Sequence, residues 1–287
     1  MINGVLPDPR RHAYRDDLAH ASLRDHVKAA RYVEGERRQV KAPVLPLRRD
    51  PRPDSRLESE ALLGETLTLL DEEEGWAWVQ LERDGYVGYI PGDGLSADIA
   101  PPTHRIAALR TYVFPRPDGK SAPLALLSLN ALITAAGSDG KFLALREGGY
   151  VFAGHAAPIG TVAPDYVAVA EGFLGAPYLW SGRTSIGLDC SGLVQLAAEA
   201  AGILCPRDAD MQAQEIGRPI DERDALELRR GDLVFWEGHV GIMVSPGDLL
   251  HANAYHMAVE REPLDLAKAR IKRALGSDMT GVRRLSN

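Results

Sequence analysis

Cysteine is scarce in this sequence, with only two such residues in a chain of 287. Two cysteines cannot build the disulfide framework of a small secreted protein, and low cysteine usage is expected in a reducing compartment. The spacing of Cys190 and Cys205 would permit a disulfide, but that bond would block any chemistry at Cys190. We therefore expect Cys205 to pack as a small apolar residue.

Long apolar runs are missing from the start of the chain. Residues 1–33 carry charges every few positions and contain no apolar segment of secretory length. They predict neither a signal peptide nor a membrane anchor. Because the numbering begins with Met1, we expect a complete, cytoplasmic protein that binds no membrane.

Basic residues are outnumbered by acidic ones, 33 against 40, which gives a formal net charge of −7. This balance argues against nucleic acid or an anionic membrane surface as the main partner. The chain is otherwise ordinary for a soluble protein, with 45% hydrophobic and 25% charged residues. Its length is sufficient for two or three domains.

Residues 175–202 contain the strongest chemical pattern, a loop rich in glycine and aromatic residues that leads through Asp-Cys-Ser-Gly into an apolar run. Apolar residues between Leu193 and Ala201 recur at helical spacing, and Gly202 is suited to end a helix. Cys190 therefore lies at or just before the first turn, where free N–H groups and the helix dipole favour a thiolate. Without a basic partner, a buried structural cysteine is the better interpretation.

Two histidines downstream are candidate partners for this cysteine. The sequence predicts a strand over 232–236, a tight turn, a second strand that begins at His239, and a third strand over 249–253 that carries His251. Either histidine alone would more often be a satisfied core or surface residue. A cysteine on a helix followed by histidines on adjacent strands, however, can supply a nucleophile, a general base and a group that orients the base.

These segments together resemble the NlpC family of papain-like cysteine peptidases, which cut bacterial cell-wall peptides. The resemblance covers roughly residues 165–285 and implies an α+β fold, with the nucleophile helix packed on an antiparallel sheet. Ser181 stands where the family commonly has glycine, and we expect it to be tolerated in a loop. The motifs that carry the resemblance are Gly175-x-Pro177-Tyr178-x-Trp180-x-Gly182, Asp189-Cys190-Ser191-Gly192, Arg230-Gly231-Asp232-Leu233-Val234-Phe235-Trp236, Gly238-His239-Val240-Gly241-Ile242 and His251-Ala252.

The N-terminal half predicts three further segments ahead of a peptidase domain at 161–287. Residues 1–36 are polar and helix-prone, and we expect an extension that packs on a later domain. Residues 37–100 alternate short strands with turn residues, which favours a small barrel. After the Pro101-Pro102 linker, residues 101–160 predict a second, more divergent barrel.

Short motifs in the first barrel resemble a bacterial SH3-type domain, and the second barrel is interpreted as a divergent copy. These motifs are Gly64-Glu65, Gly75-Trp76 and Asp84-Gly85-Tyr86-x-Gly88-Tyr89. The predicted strands cover 39–40, 44–47, 65–70, 76–81 and 85–90 in the first barrel, and 110–114, 124–129, 130–136, 142–146 and 149–152 in the second. In the last domain, helices are predicted over 165–175 and 264–275 and a final strand over 280–285.

The mechanism that we expect is nucleophilic catalysis on an amide. Cys190 attacks the carbonyl, His239 pairs with the thiolate and then protonates the leaving amine, and His251 orients His239. The backbone N–H of Cys190, helped by the Tyr178 hydroxyl, stabilises the oxyanion. Tyr178 as a packing aromatic is the alternative.

The resemblance also implies a substrate class, murein peptides in which γ-D-glutamate is linked to a diamino acid. This chain resembles a cytoplasmic subset that recycles small murein peptides with a free N-terminal L-alanine. In that subset an aspartate and a tyrosine receive the substrate ammonium, and they match Asp208 and Tyr86, with Tyr89 as a second candidate for the tyrosine. Asp189 and Ser191 are also expected to contact substrate. The alternatives are a helix cap for Asp208 and a barrel-surface aromatic for Tyr86.

Two other functions stay open from sequence. One is an amidase or acyltransferase that uses the same Cys–His pair, and the other is a non-catalytic protein that binds cell wall through its SH3-type domains. A zinc site built from His239, His251, His256 and Cys205 lacks the short ligand spacing of such sites. We therefore expect no metal, no other cofactor and no obligate protein partner.

Overall fold

The computed structural model describes residues 6–221 and 227–285. The chain divides into two units, Met1–Ile159 and Gly160–Asn287. No helix among these described residues combines the length and the apolar character needed to cross a bilayer.

The described part of the first unit consists almost entirely of short β-strands. They are β1 Leu18–His20, β2 Arg31–Val33, β3 Glu36–Val40, β4 Val44–Arg48, β5 Leu57–Leu62, β6 Thr66–Glu73, β7 Trp76–Leu81, β8 Val87–Pro91, β9 Leu95–Ser96, β10 His104–Ile106, β11 Arg110–Phe114, β12 Ala125–Ser128, β13 Leu132–Ile133, β14 Ala135–Asp139, β15 Phe142–Leu145, β16 Tyr150–Phe152 and β17 Ala156–Pro158.

Seven of these strands form one antiparallel sheet, in the order β5-β4-β8-β7-β6-β3-β9. In β4 the buried residues Leu45 and Leu47 alternate with more accessible ones, the period of a strand with one face on a core. Five of the seven strands overlap those predicted from sequence. The sequence missed β5, because its buried positions include Ser59 and Glu60 and so hide the apolar pattern.

The described part of the N-terminal extension, residues 6–36, contains no α-helix, so the helix-prone interpretation of residues 1–36 was wrong for these residues. Strand β1 pairs in parallel with β2, and the described part contains one short 3-10 helix, Ala21–Leu23. The expectation that this segment packs on a later domain is confirmed, since Leu18 forms a buried cluster with Leu70 and Trp78 of the seven-stranded sheet. Tertiary packing has overridden a weak local preference for helix.

The rest of the first unit comprises two smaller antiparallel sheets, in the orders β12-β11-β16-β15-β14 and β13-β10-β17. Their core includes Ile106, Val113, Leu127 and Val151, joined by Leu62 of β5. The strands predicted over 110–152 correspond to β11 through β16. The sequence missed β10 and β17, each of which is only three residues long.

The second unit places helices around a six-stranded antiparallel sheet of order β20-β25-β21-β22-β23-β24. The helices are α1 Tyr166–Glu171, α2 Cys190–Ala200, α3 Ala209–Glu215 and α4 Leu264–Leu275, and the strands are β18 Arg183–Thr184, β19 Gly187–Leu188, β20 Arg218–Pro219, β21 Asp232–Trp236, β22 His239–Met243, β23 Asp248–Asn253, β24 Ala258–Pro263 and β25 Gly281–Arg284. Helix α2 packs against α1, β22 and β23. The α+β expectation for this part of the chain is confirmed.

Helix α2 is the buried centre of the second unit. All of its residues except Glu199 are buried, and small residues such as Ala197 and Ala198 allow close packing. The chain leaves the helix through Gly202 at φ 77°, a conformation that suits glycine. Helix α1 is shorter than predicted and begins after Asp165, whose carboxylate accepts hydrogen bonds from the N–H groups of Val167 and Ala168.

Strand β24 is the main element of the second unit that the sequence did not predict. It lies at one edge of the sheet, paired with β23. Its residues Glu260 and Glu262 are partly accessible and Arg261 is exposed, so this polar segment lacks an apolar signal.

Candidate active site

Cys190 is the first residue of α2, and Asp189 is its N-cap. The Asp189 Oδ1 atom accepts a hydrogen bond of 2.7 Å from the backbone N–H of Gly192, which fixes the helix start. The backbone N–H groups of Val240 and Ser191 donate to the thiol sulfur of Cys190. Because Val240 follows His239 on β22, the nucleophile lies against the start of that strand.

Burial, followed by the negative charge of Asp189, raises the pKa of Cys190 to about 12. The hydrogen bonds from Val240 and Ser191 act in the opposite direction but do not compensate. The sequence predicted a lowered pKa from the helix position alone, and the direction of the shift is the reverse because the side chain is only 8% exposed. The resting group is therefore a thiol, which needs a base to become a nucleophile.

His239 and His251 form a directly bonded pair on the adjacent strands β22 and β23. The His239 Nε2 and His251 Nδ1 atoms lie 2.8 Å apart. Burial lowers the pKa of His239 to about 3, and burial also lowers the pKa of the fully buried His251. Both imidazoles are thus neutral near pH 7, and His239 is free to accept a proton from the thiol.

Glu262, which was not singled out from the sequence, joins the hydrogen-bonded series of His239 and His251. Its Oε1 atom lies 2.7 Å from His251 Nε2 and also accepts a hydrogen bond from Arg270 of α4. Burial alone would raise the pKa of Glu262, but the bonds from His251 and Arg270 lower it to about 2. Sequence reasoning missed Glu262 because it lies on β24, and only the register of β23 with β24 brings it to His251.

Tyr178 lies on the loop before α2, partly buried, with its backbone N–H bonded to the carbonyl of Met257 at 3.0 Å. Burial, and then the neighbouring Cys190, raise the pKa of Tyr178 above its ordinary value. Its hydroxyl group therefore keeps its proton and can donate a hydrogen bond. The backbone N–H of Cys190 is a second donor, since the first amides of a helix have no partner within it.

Asp189 and Ser191 are held in a buried network around Arg207. The two guanidinium nitrogens of Arg207 lie 3.0 and 3.1 Å from the two Asp189 oxygens, and Nη1 also donates to Ser191 Oγ at 3.0 Å. Asp189 Oδ2 further accepts from the Ser181 N–H at 2.9 Å. These contacts give Asp189 and Ser191 a structural task at the helix start, and their substrate contacts stay a prediction. Arg207 is 1% exposed, and the sequence analysis did not single it out.

Ser181 adopts φ 58°, in the left-handed region. A residue with a Cβ atom is strained in this conformation, which glycine adopts without strain.

The two residues predicted to bind an ammonium group lie in different units. Asp208 precedes α3 and is partly buried, and its side chain makes no capping hydrogen bond, so the helix-cap alternative is not supported. Tyr86 lies in the first unit between β7 and β8 and is 2% exposed, so the surface-aromatic alternative was wrong. Tyr89 lies on β8, where its hydroxyl accepts a hydrogen bond of 2.9 Å from Arg15. The ammonium-binding roles of all three stay predictions.

The sequence model of the NlpC/P60 family matches residues 175–272. This segment contains the thiol, both histidines, Glu262 and Arg270. These residues form an NlpC/P60 domain. A second model, described as a bacterial dipeptidyl-peptidase SH3 domain, matches residues 47–95.

Two curated relatives of the chain are each named gamma-D-glutamyl-L-lysine dipeptidyl-peptidase. The one from Bacillus cereus is 27% identical over 243 residues, which cover 74% of this chain and 72% of the relative. The one from Bacillus subtilis is 27% identical over 231 residues, which cover 72% of this chain and 76% of the relative.

Among solved structures, an NlpC/P60 family protein from Bacillus cereus shares the fold, with a TM-score of 0.72 at 22% identity, over 87% of this chain and 99% of that one. The second unit therefore has the papain-like fold of NlpC/P60 proteins, as expected, and an SH3-like domain precedes it. With the thiol and the histidine pair in this domain, the protein is a cysteine peptidase.

Proposed function

We propose that this peptidase hydrolyses the bond between γ-D-glutamate and a diamino acid in murein peptides that have a free N-terminal L-alanine. The observation that carries the proposal is the buried arrangement of Cys190, His239 and His251 in a chain that also matches the SH3 domain of bacterial dipeptidyl-peptidases. The names of the two Bacillus relatives support the same substrate class. A role in cytoplasmic recycling of cell-wall peptides belongs to the proposal, and its test is the location of the protein in fractionated cells.

The reaction follows from the protonation states of the resting site. The Cys190 thiol transfers its proton to neutral His239 as the sulfur attacks the γ-carbonyl carbon, and His251 remains bonded to His239 and stabilises the imidazolium that forms. The oxyanion accepts hydrogen bonds from the Cys190 N–H and the Tyr178 hydroxyl.

The tetrahedral species then collapses, and His239 returns the proton to the leaving amine of the diamino acid. The dipeptide stays on Cys190 as a thioester. Water, deprotonated by His239, attacks the thioester carbonyl and releases the dipeptide carboxylate and the thiol. The sequence of steps consumes one water and leaves the enzyme unchanged.

We propose that Asp208 receives the ammonium group of the N-terminal L-alanine. A carboxylate in a partly closed site forms a charge-assisted hydrogen bond with an ammonium group and leaves that bond unmade when the amine is acylated.

The test is mass spectrometry of defined peptides incubated with the enzyme. We expect L-Ala-γ-D-Glu-L-Lys, or its diaminopimelate counterpart, to yield L-Ala-D-Glu and the free diamino acid, and Cys190→Ala to yield none. The N-acetylated peptide should react at least 10²-fold more slowly, and Asp208→Asn should lose most of that preference. Release of ammonia or transfer of the acyl group instead of hydrolysis would assign another reaction, and equal cleavage of both peptides would remove the ammonium site.

A further inference from the structure

We propose that Glu262, held by Arg270, is a positioning residue that fixes the tautomers of His251 and His239 and supports their protonation during the reaction. The inference rests on the cysteine peptidase chemistry proposed above and not on which peptide is cleaved. Glu262 touches neither the thiol nor His239 directly and acts through His251.

The carboxylate is placed by the register of the sheet edge. His251 lies opposite Glu260 in the pairing of β23 with β24, and Glu262 lies opposite Leu249. Residues two apart on a strand share a face, so Glu262 is the diagonal neighbour of His251. The distance of 2.7 Å between Glu262 Oε1 and His251 Nε2 is that of a strong charge-assisted hydrogen bond.

The carboxylate determines which nitrogen carries the proton, first in His251 and then in His239. An ionised carboxylate can only accept, so His251 Nε2 carries the proton, and in the neutral ring Nδ1 is left with a lone pair. That lone pair accepts from His239 Nε2–H, 2.8 Å away. The proton of neutral His239 is thereby on Nε2, and Nδ1 is the basic nitrogen available to the thiol. One carboxylate selects the tautomer of both rings.

Arg270 keeps this carboxylate in position. Helix α4 begins directly after β24, and its second turn brings the Arg270 guanidinium to Glu262 Oε1. The same guanidinium stacks over the Tyr255 ring, 4.6 Å from its centroid, which limits its own freedom. Only 13% of the Glu262 side chain and 20% of the Arg270 side chain are exposed, so solvent screens this pair weakly.

The two charges act on the histidines with opposite signs. The Glu262 carboxylate raises the pKa of both His251 and His239, whereas Arg270 lowers the pKa of both. The titratable or charged groups around the pair are Cys190 on α2, Glu260 and Glu262 on β24, His256 in the turn after β23, and Arg270 on α4.

The test measures the rate at which iodoacetamide alkylates Cys190 as a function of pH, followed by mass spectrometry of the Cys190 peptide so that Cys205 does not interfere. Removing a negative charge lowers the pKa of every nearby group. We therefore expect Glu262→Gln, which removes the charge bonded to His251, to move the pH at which the alkylation rate rises with thiolate formation to lower pH by about half a unit or more. Arg270→Met should move this rise to higher pH.

Glu260→Gln is the matched control, because it removes the same charge from the same strand and face, opposite His251, whereas among the described residues the carboxylate hydrogen-bonded to His251 is that of Glu262. Its profile should shift clearly less than that of Glu262→Gln, because a charge without a hydrogen bond to the ring is coupled to it more weakly. Alkylation requires no substrate, so this experiment stays valid whichever peptide the enzyme cleaves.

Peptide hydrolysis supplies a second readout. Glu262→Gln keeps an acceptor for His251 Nε2–H and should lower kcat roughly 10-fold with KM unchanged, whereas Glu262→Leu leaves the tautomer unselected and should lower kcat roughly 10²-fold or more. If Glu262→Leu does not fold, the opposite shifts of Glu262→Gln and Arg270→Met carry the test. A rise that stays at wild-type pH in both variants, or that shifts equally in Glu260→Gln, would overturn the proposal.

Discussion

Replacing Arg207 with methionine should destabilise the second unit more than any surface substitution in it. The guanidinium is 1% exposed and bonds to both oxygens of Asp189, to Ser191 Oγ and to the carbonyl of Gly182. Methionine fills much of the same space but leaves the Asp189 carboxylate buried without its cation. Breaking a buried ion pair in this way costs about 3–5 kcal/mol, compared with a total stability of about 5–15 kcal/mol for a domain.

The expected loss is concentrated at the start of α2, where Asp189 caps the helix that carries Cys190. Because the chain has two units, one global unfolding curve would not isolate this effect. Hydrogen exchange followed by mass spectrometry isolates it, because peptides from α2 report the local free energy of opening and peptides from the first unit serve as an internal reference. In the Arg207→Met variant the α2 amides should exchange roughly 10²-fold faster or more, the ratio that about 3 kcal/mol implies.

Two further variants make the reasoning refutable. In the double variant Asp189→Asn/Arg207→Met, asparagine still caps the helix and no charge is left unpaired, so roughly 1–3 kcal/mol of the loss should return. Arg261→Met removes an ion pair whose arginine side chain is 49% exposed, and it should cost under about 1 kcal/mol. An Arg207→Met variant as stable as Arg261→Met, or a double variant no better than the single one, would contradict the argument.

Two other predictions concern stability. Ser181→Gly should stabilise the second unit by roughly 0.5 kcal/mol, because relief of about 1 kcal/mol of strain at φ 58° exceeds the cost of the added entropy of the unfolded chain. Ser181→Val should destabilise it. Chemical denaturation of both variants measures the two changes in unfolding free energy. The pKa of Glu262 is lowered from 4.5 to about 2, so its ionised form stabilises the fold by about 2–3 kcal/mol above pH 5, and this contribution disappears as the pH falls from 4.5 to 2. Wild type and Glu262→Gln should therefore differ most in unfolding free energy above pH 5 and converge near pH 2; a difference that persists at pH 2 would contradict the assignment.

Local patterns in the sequence were sufficient for the elements that carry the nucleophile and the histidines. Helical spacing of apolar residues and a terminal glycine predicted α2 with Cys190 at its start, as found. Short apolar runs bounded by glycine predicted β21, β22 and β23, including His239 as the first residue of its strand. These signals are readable because each depends only on residues that are neighbours along the chain.

Glu262 and Arg207 could not be found in this way. Both are polar residues in segments without hydrophobic periodicity, and both bind partners from other segments. Glu262 reaches His251 through the pairing of β23 with β24. Arg207 reaches Asp189 and Ser191 because the loop before α3 packs against the start of α2. The direction of the Cys190 pKa shift was also decided by the tertiary structure. The helix start is a local feature that favours the thiolate, whereas burial results from the whole second unit closing around α2, and in the folded protein burial is the larger effect.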